Sequence, residues 1–204
     1  MSLKTRSGRN WGQLGMTSNW KTCQLGELVT FTSGGTPSKK KAEYWNGAIP
    51  WISAKTMKDE HISTSDLMIS EEGLKNGSRL APQGSILFLI RGSGLFNGIP
   101  ICLVDKPVAF NQDVKCINSI SEIENKYVFY WLLSPEFDKF SNGNPSKGTL
   151  YPAIGEKDLL NGVIPIPDIE EQKLIVEKLD SAFEHLDKLN RLQTQYSSDL
   201  EVLK

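Results

Sequence analysis

From Asp168 to Lys204 the chain runs for 37 residues without a proline or glycine, directly after the two prolines of VIPIP at 163–167. Proline removes a backbone donor and breaks helices, and glycine weakens a helix interior. A stretch of this length lacking both predicts one long helix. Asp168 is placed to cap it, and Glu170 and Glu171 oppose the positive end of its dipole.

Along that helix the apolar positions are Ile175, Leu179, Ala182, Leu186, Leu189, Tyr196, Leu200 and Leu203, with Gln193 as the one polar member of the series. Steps of four and three alternate, which is a heptad seam, and a polar seam residue suits a device for register or partner choice. At 1.5 Å per residue the rod is about 54 Å long. The roughly 145 residues before it should fold to a radius of gyration of about 15 Å. Much of the rod must then extend past its own body. A spacer and dimerisation element over 168–204 is the expectation; folding back over the body is the alternative.

Residues 20–167 read as a mixed α/β (α+β) domain. IPWIS at 49–53, the apolar run SILFLI at 85–90, IPICLV at 99–104 and VAFN at 108–111 predict strands. WKTCQLGELVTF at 20–31 predicts a strand or short helix, and VIPIP at 163–167 an edge strand. A short helix and a turn are predicted at 71–84, and helices at 125–143 with a break at Pro135 and at 155–162. SGGTPSKKK at 33–41, RGSGLFNG at 91–98 and NPSKGT at 144–149 are loops.

Residues 1–20 carry three basic and no acidic side chains, so 1–19 reads as a basic arm or an added segment, not a secretory signal. Residues 21–160 hold fifteen of each sign, and 161–204 five basic against nine acidic. A neutral average still permits one basic face. The three cysteines are widely spaced, which argues against a disulfide framework and for a reducing cytoplasm. His61 and His185 stand far apart without a CxxC or HxxxH, so no metal site is expected and both read as packing or surface residues. No apolar run is long enough to cross a membrane.

LGELVTFTSGGTPS at 25–38, YWNGAIPWI at 44–52, AFNQDV at 109–114, GTLYPAI at 148–154 and IPIPDIEEQKLIVEKLD at 164–180 resemble type I restriction-modification specificity subunits. That family usually carries two target recognition domains and two spacer helices per chain. This sequence holds one of each, as a natural half-subunit or as a fragment would. The resemblance implies sequence-specific binding of double-stranded DNA and assembly with methyltransferase and restriction subunits. It also implies an antiparallel pairing of spacer helices, in a homodimer or with another half-subunit, that holds two recognition domains at a fixed distance.

Catalytic motifs agree with a chain that has no chemistry or cofactor of its own. There is no FxGxG-type cofactor loop, no [DN]PP[YF] methyltransferase motif and no GxxxxGK[ST]. Glu124-Asn125-Lys126 has the ExK spacing of some nucleases but no suitable upstream acid. What remains is recognition, in which side chains read base edges and cations position the backbone. The candidate DNA-binding residues lie on three donor-rich loops: Ser33, Thr36, Ser38, Lys39, Lys40 and Lys41; Arg91, Ser93 and Asn97; and Asn144, Ser146, Lys147 and Thr149. Tyr151 either packs or touches a base or sugar. Asn111 and Gln112 read as buried structural amides, Trp45 and Trp51 as core, and Gly34 and Gly35 as sites of positive φ or close backbone approach. The alternative function is an interaction-only or silent cassette that pairs through its helix without binding DNA.

Overall fold

A strand that is apolar on both sides needs a layer on both sides, and the SILFLI run finds one. The computed structural model describes residues 20–92, 95, 98–120, 123–142 and 154–202, without the side chains of 139–142 and 196–202. In chain order its elements are β1 (Lys21–Gln24), β2 (Val29–Ser33), β3 (Ile49–Ile52), β4 (His61–Ile62), β5 (Met68–Ile69), α1 (Glu71–Gly77), β6 (Arg79–Ala81), β7 (Ile86–Leu89), β8 (Ile101–Val104), β9 (Val108–Phe110), β10 (Val114–Ser119), α2 (Asn125–Leu132), α3 (Pro135–Asn142), α4 (Glu156–Leu160), β11 (Val163–Ile166) and α5 (Ile169–Val202).

The strands form three sheets, ordered β2-β10-β7-β8-β4, β5-β3-β9-β6 and β1-β11. β7 is the middle strand of the largest. Its side chains alternate: Ile86 and Phe88 face the helical side, packing with Tyr127, Phe129 and Phe137. Leu87 and Leu89 face the other way, onto Ile52, Val108 and Phe110 of the four-stranded sheet. Both faces are thus apolar, which is why the run shows no alternation in sequence. The architecture is helices on one face of the five-stranded sheet and a second sheet on the other.

α2 is buried from Tyr127 to Leu132. A helix apolar all round belongs in a core, and α2 lies between β8 of the five-stranded sheet and α5. Pro135 begins α3, where its missing N–H costs nothing. β11 pairs with β1 at the edge, as the prolines of VIPIP require.

α5 begins with Asp168, whose Oδ1 accepts from the Glu171 N–H at 2.9 Å. Its first four turns are fastened to the body. Buried Gln172 accepts from the Glu124 N–H at 2.9 Å and donates to the Pro167 carbonyl at 2.9 Å. Trp20 Nε1 donates to Glu171 at 2.9 Å. Lys126 Nζ and the Tyr130 hydroxyl both donate to Asp180, and the Tyr130 ring stacks on Phe183 at 5.5 Å.

The seam positions are therefore not equivalent. Ile175 is buried and Leu179 half-buried against the body, together with Val176 and Phe183. At 3.6 residues per turn that packed face is rotated by roughly 70° from the line through Ala182, Leu186 and Leu189. Ala182, Leu186, Leu189 and Gln193 are all exposed. Leu186 and Leu189 stand 52% and 62% open, with Leu192 beside them. The 19 residues from Glu184 to Val202 extend the helix by about 28 Å. The side chains of Tyr196 and Leu200, and Leu203 as a whole, lie outside the described residues.

Candidate nucleic-acid interface

The chain passes from the four-stranded sheet to the five-stranded one through a short turn, Asn111–Asp113, between β9 and β10. Asn111 is buried. Its N–H donates to the Ile52 carbonyl at 2.9 Å, and its Oδ1 accepts from the Asp113 N–H at 3.1 Å. The Asp113 carbonyl accepts from the Ile90 N–H at 3.0 Å, which ties the turn to the end of β7. Two of the donor-rich loops meet on this turn.

The loop after β2 arrives first. The Gly35 N–H donates to the Phe110 carbonyl at 2.9 Å. A Cβ on Gly34 would lie 2.2 Å from the Phe110 carbonyl oxygen, and one on Gly35 2.4 Å from that of Gly77. Close backbone approach, not positive φ, explains both glycines; positive φ among the described residues is found at Gly84, Gly92 and Gly98. Two tryptophans hold the loop from beneath. Buried Trp51 donates its indole N–H to the Gly35 carbonyl at 3.0 Å and half-buried Trp45 to the Ser38 carbonyl at 3.2 Å, with the rings edge to face at 5.1 Å. Thr36 Oγ1 then donates to Gln112 Oε1 at 2.6 Å.

Arg91 arrives from the end of β7. Its Nε and Nη2 both donate to Asp113 Oδ1, at 3.0 and 2.5 Å. A buried lysine completes the frame. Lys115, in β10, donates to Ser33 Oγ at 2.7 Å and to Glu156 Oε2 at 2.5 Å. Beside it the Ile154 N–H bonds the Ile90 carbonyl at 2.8 Å.

Several expectations change here. Ser33 is the last residue of β2, not part of the loop; its Oγ accepts from Lys115, and its exposed hydroxyl keeps its own hydrogen to donate. Gln112 is exposed and joins Thr36, so only Asn111 of the pair is a buried amide. Lys41 turns back onto Tyr44, donating to its hydroxyl at 2.8 Å, and that bond holds its pKa above the ordinary lysine value. Ser38, Lys39 and Lys40 are exposed. Ser93, Asn97, Asn144, Ser146, Lys147, Thr149 and Tyr151 lie outside the described residues. Lys126 of the ExK triplet is occupied by Asp180, and among the described residues no cluster of three His, Cys, Asp or Glu side chains could hold a metal ion.

Asp113 and Lys115 were not candidates on sequence. A lysine inside the strand-like VKCI was the available signal, because a charge in an apolar run needs a partner. The assembled surface is a cross-bonded ledge: donors on Arg91 and Gln112 at its centre, the Thr36 hydroxyl oxygen as an acceptor beside them, and exposed Lys39 and Lys40 on the same loop as Thr36. Such a surface can bind a polyanion that offers ordered acceptors. Among the described residues no helix is long and apolar enough to cross a membrane.

Residues 17–196 match the model of the type I restriction modification DNA specificity domain. The chain is 39% identical over 163 residues to the specificity subunit of the type I restriction enzyme EcoR124I/EcoR124II of Escherichia coli, covering 79% of this chain and 40% of that one. It is 26% identical over 189 residues to the MjaIX specificity subunit of Methanocaldococcus jannaschii, covering 89% and 43%. The chain thus spans about two fifths of the length of these relatives. In fold it is similar to a chain from a structural study of complex assembly in a type I R-M system, with TM-score 0.71 at 22% identity over 92% of this chain and 44% of that one. It is also similar to the HsdS subunit of Thermoanaerobacter tengcongensis, with TM-score 0.63 at 22% identity over 87% and 40%.

Proposed function

The chain belongs to the type I restriction-modification DNA specificity family, and on that premise we propose that it reads a short sequence in double-stranded DNA and performs no catalysis itself. Residues 20–167 act as one target recognition domain and 168–204 as a spacer helix. Methyltransferase and restriction subunits supply methylation and cleavage, and the complex works in the cytoplasm. A second recognition domain, from another copy of this chain or another half-subunit, gives a bipartite target with a fixed gap.

One observation carries this reading: the loop at 34–38 and Arg91, remote in sequence, converge on the Asn111–Asp113 turn and are cross-bonded there. Two donor-bearing segments held in one rigid geometry can present a pattern of hydrogen bonds to base edges, which is what sequence readout requires. Exposed apolar residues on the far half of α5 supply a surface for the paired helix.

The test is selection from a random duplex library by the full chain, with and without methyltransferase subunits. Enrichment of one short motif, or of two inverted copies at constant spacing, supports the reading. Recovery of unenriched sequence under both conditions overturns it.

A further inference from the structure

We propose that Asp113 is a positioning residue that presents Arg91 end-on to a guanine; the inference rests on the DNA-recognition reading above. Arg91 uses its Nε and one hydrogen of Nη2 on the same carboxylate oxygen, Asp113 Oδ1. Among the described residues its Nη1 has no partner, and the side chain is 61% exposed. The free end of the guanidinium therefore carries parallel N–H donors, the geometry that matches O6 and N7 of guanine.

Asp113 is well placed to impose that direction. It is itself only 26% exposed. Its backbone is bonded at both ends, to Asn111 Oδ1 and to the Ile90 N–H. Gln112, next to it, is tied to Thr36, so the loop at 34–38 and the arginine share one support. An arginine fixed in this way loses less conformational freedom on binding than a free one.

The pairing also selects the kind of contact. A carboxylate against the guanidinium cancels most of its charge and repels a phosphate oxygen, so the pair is a poor phosphate clamp. The donor pattern survives, and a neutral acceptor edge suits it. Arg91 then contributes discrimination at one base pair more than overall affinity.

The experiment is the library selection with the full chain, in its binding-competent assembly, comparing the unchanged protein with Arg91→Ala, Arg91→Lys and Asp113→Asn. The motif should contain a guanine whose preference falls about ten-fold or more in all three variants, while the other positions and the melting temperature hold. Arg91→Lys keeps the charge but not the fork, so it tests the guanine contact; where Asp113→Asn fails to fold, Asp113→Glu, which keeps the carboxylate but moves it by one methylene, tests the positioning role by the same readout. Unchanged guanine preference in Asp113→Asn overturns the positioning role. Binding that weakens equally for all sequences, with a shallower salt dependence, shows Arg91 on a phosphate and overturns the guanine assignment. If the unchanged chain enriches nothing, the DNA-recognition reading itself fails.

Discussion

The indole N–H of Trp51, in the middle of β3, donates to the carbonyl of Gly35 at 3.0 Å. A core residue thus fixes the height of a surface loop. Trp51 is buried, and Ala109 and Ile69 of neighbouring strands pack beside it. Its ring cannot move without opening the four-stranded sheet.

Trp51→Phe keeps an aromatic ring but leaves the Gly35 carbonyl without this donor. An orphaned partly buried acceptor costs about 1–3 kcal/mol, and the smaller ring leaves a void, so urea unfolding should show a loss of about 2–4 kcal/mol. Trp45→Phe should cost about 1 kcal/mol or less, because the Ser38 it serves is exposed and water can replace the bond. Equal losses in the two variants would contradict the division of labour between the rings.

A methyl group is a sharper probe of the same crossing. Gly34→Ala sets a Cβ against backbone oxygens at 2.2 and 2.4 Å, which no side-chain rotation can relieve. A loss of roughly 2–4 kcal/mol follows from overpacking against backbone. Gly84 is the control. It sits at φ +82° with open space around its Cβ position, so alanine there should cost only the left-handed strain of about 1–2 kcal/mol. Thermal melts of both variants check the order; a Gly34→Ala protein as stable as the parent would mean the loop is not held against β9.

These crossings explain what could be read from the sequence. SILFLI is long, apolar and bounded, so it marks a central strand wherever it is found. The proline-free tail and the Pro135 break are equally local signals. His61–Ile62, Met68–Ile69 and Arg79–Ala81 are strands of two or three residues, too short for any period to show. Lys115 hid β10 by placing a charge in the strand pattern. The loop at 33–41 announced itself by composition. Its convergence with Arg91 on Asp113 depends on how the two sheets are joined, and no spacing along the chain encodes that.

Cysteine reactivity tests the core between the two sheets, where Cys102 of β8 and Cys116 of β10 flank Leu87 of β7. Burial pushes the Cys102 thiol up to about 12 and raises that of Cys116 as well. Cys23 is raised chiefly by its hydrogen bond to Glu27, whose charge also opposes the thiolate. A raised pKa leaves less thiolate at pH 8, and thiolate is the reactive form. With a disulfide reagent at that pH, one thiol per folded chain should react, more slowly than free cysteine, and all three in denaturant. Glu27→Gln should speed the first reaction by removing the opposing charge. Two or three fast thiols in the folded protein would show that Cys102 and Cys116 are not sealed.

The two halves of α5 should answer differently to the same substitution. Ile175 sits in the core, so Ile175→Glu buries a charge against the body and should cost about 3–5 kcal/mol. Leu186 and Leu189 are open, so glutamate at both should leave the unfolding free energy of a single copy within about 1 kcal/mol of the parent. Their effect should fall on association. Light scattering of the unchanged chain is expected to give about twice the 22.8 kDa of one copy, and the doubly substituted chain a single copy. A glutamate on each side of a close-packed helix pair loses hydration and meets its symmetry mate, which is why the dimer, and not the fold, pays. An unchanged chain with the mass of one copy would sink self-pairing through this face, and a doubly substituted chain that still dimerises would place the contact elsewhere.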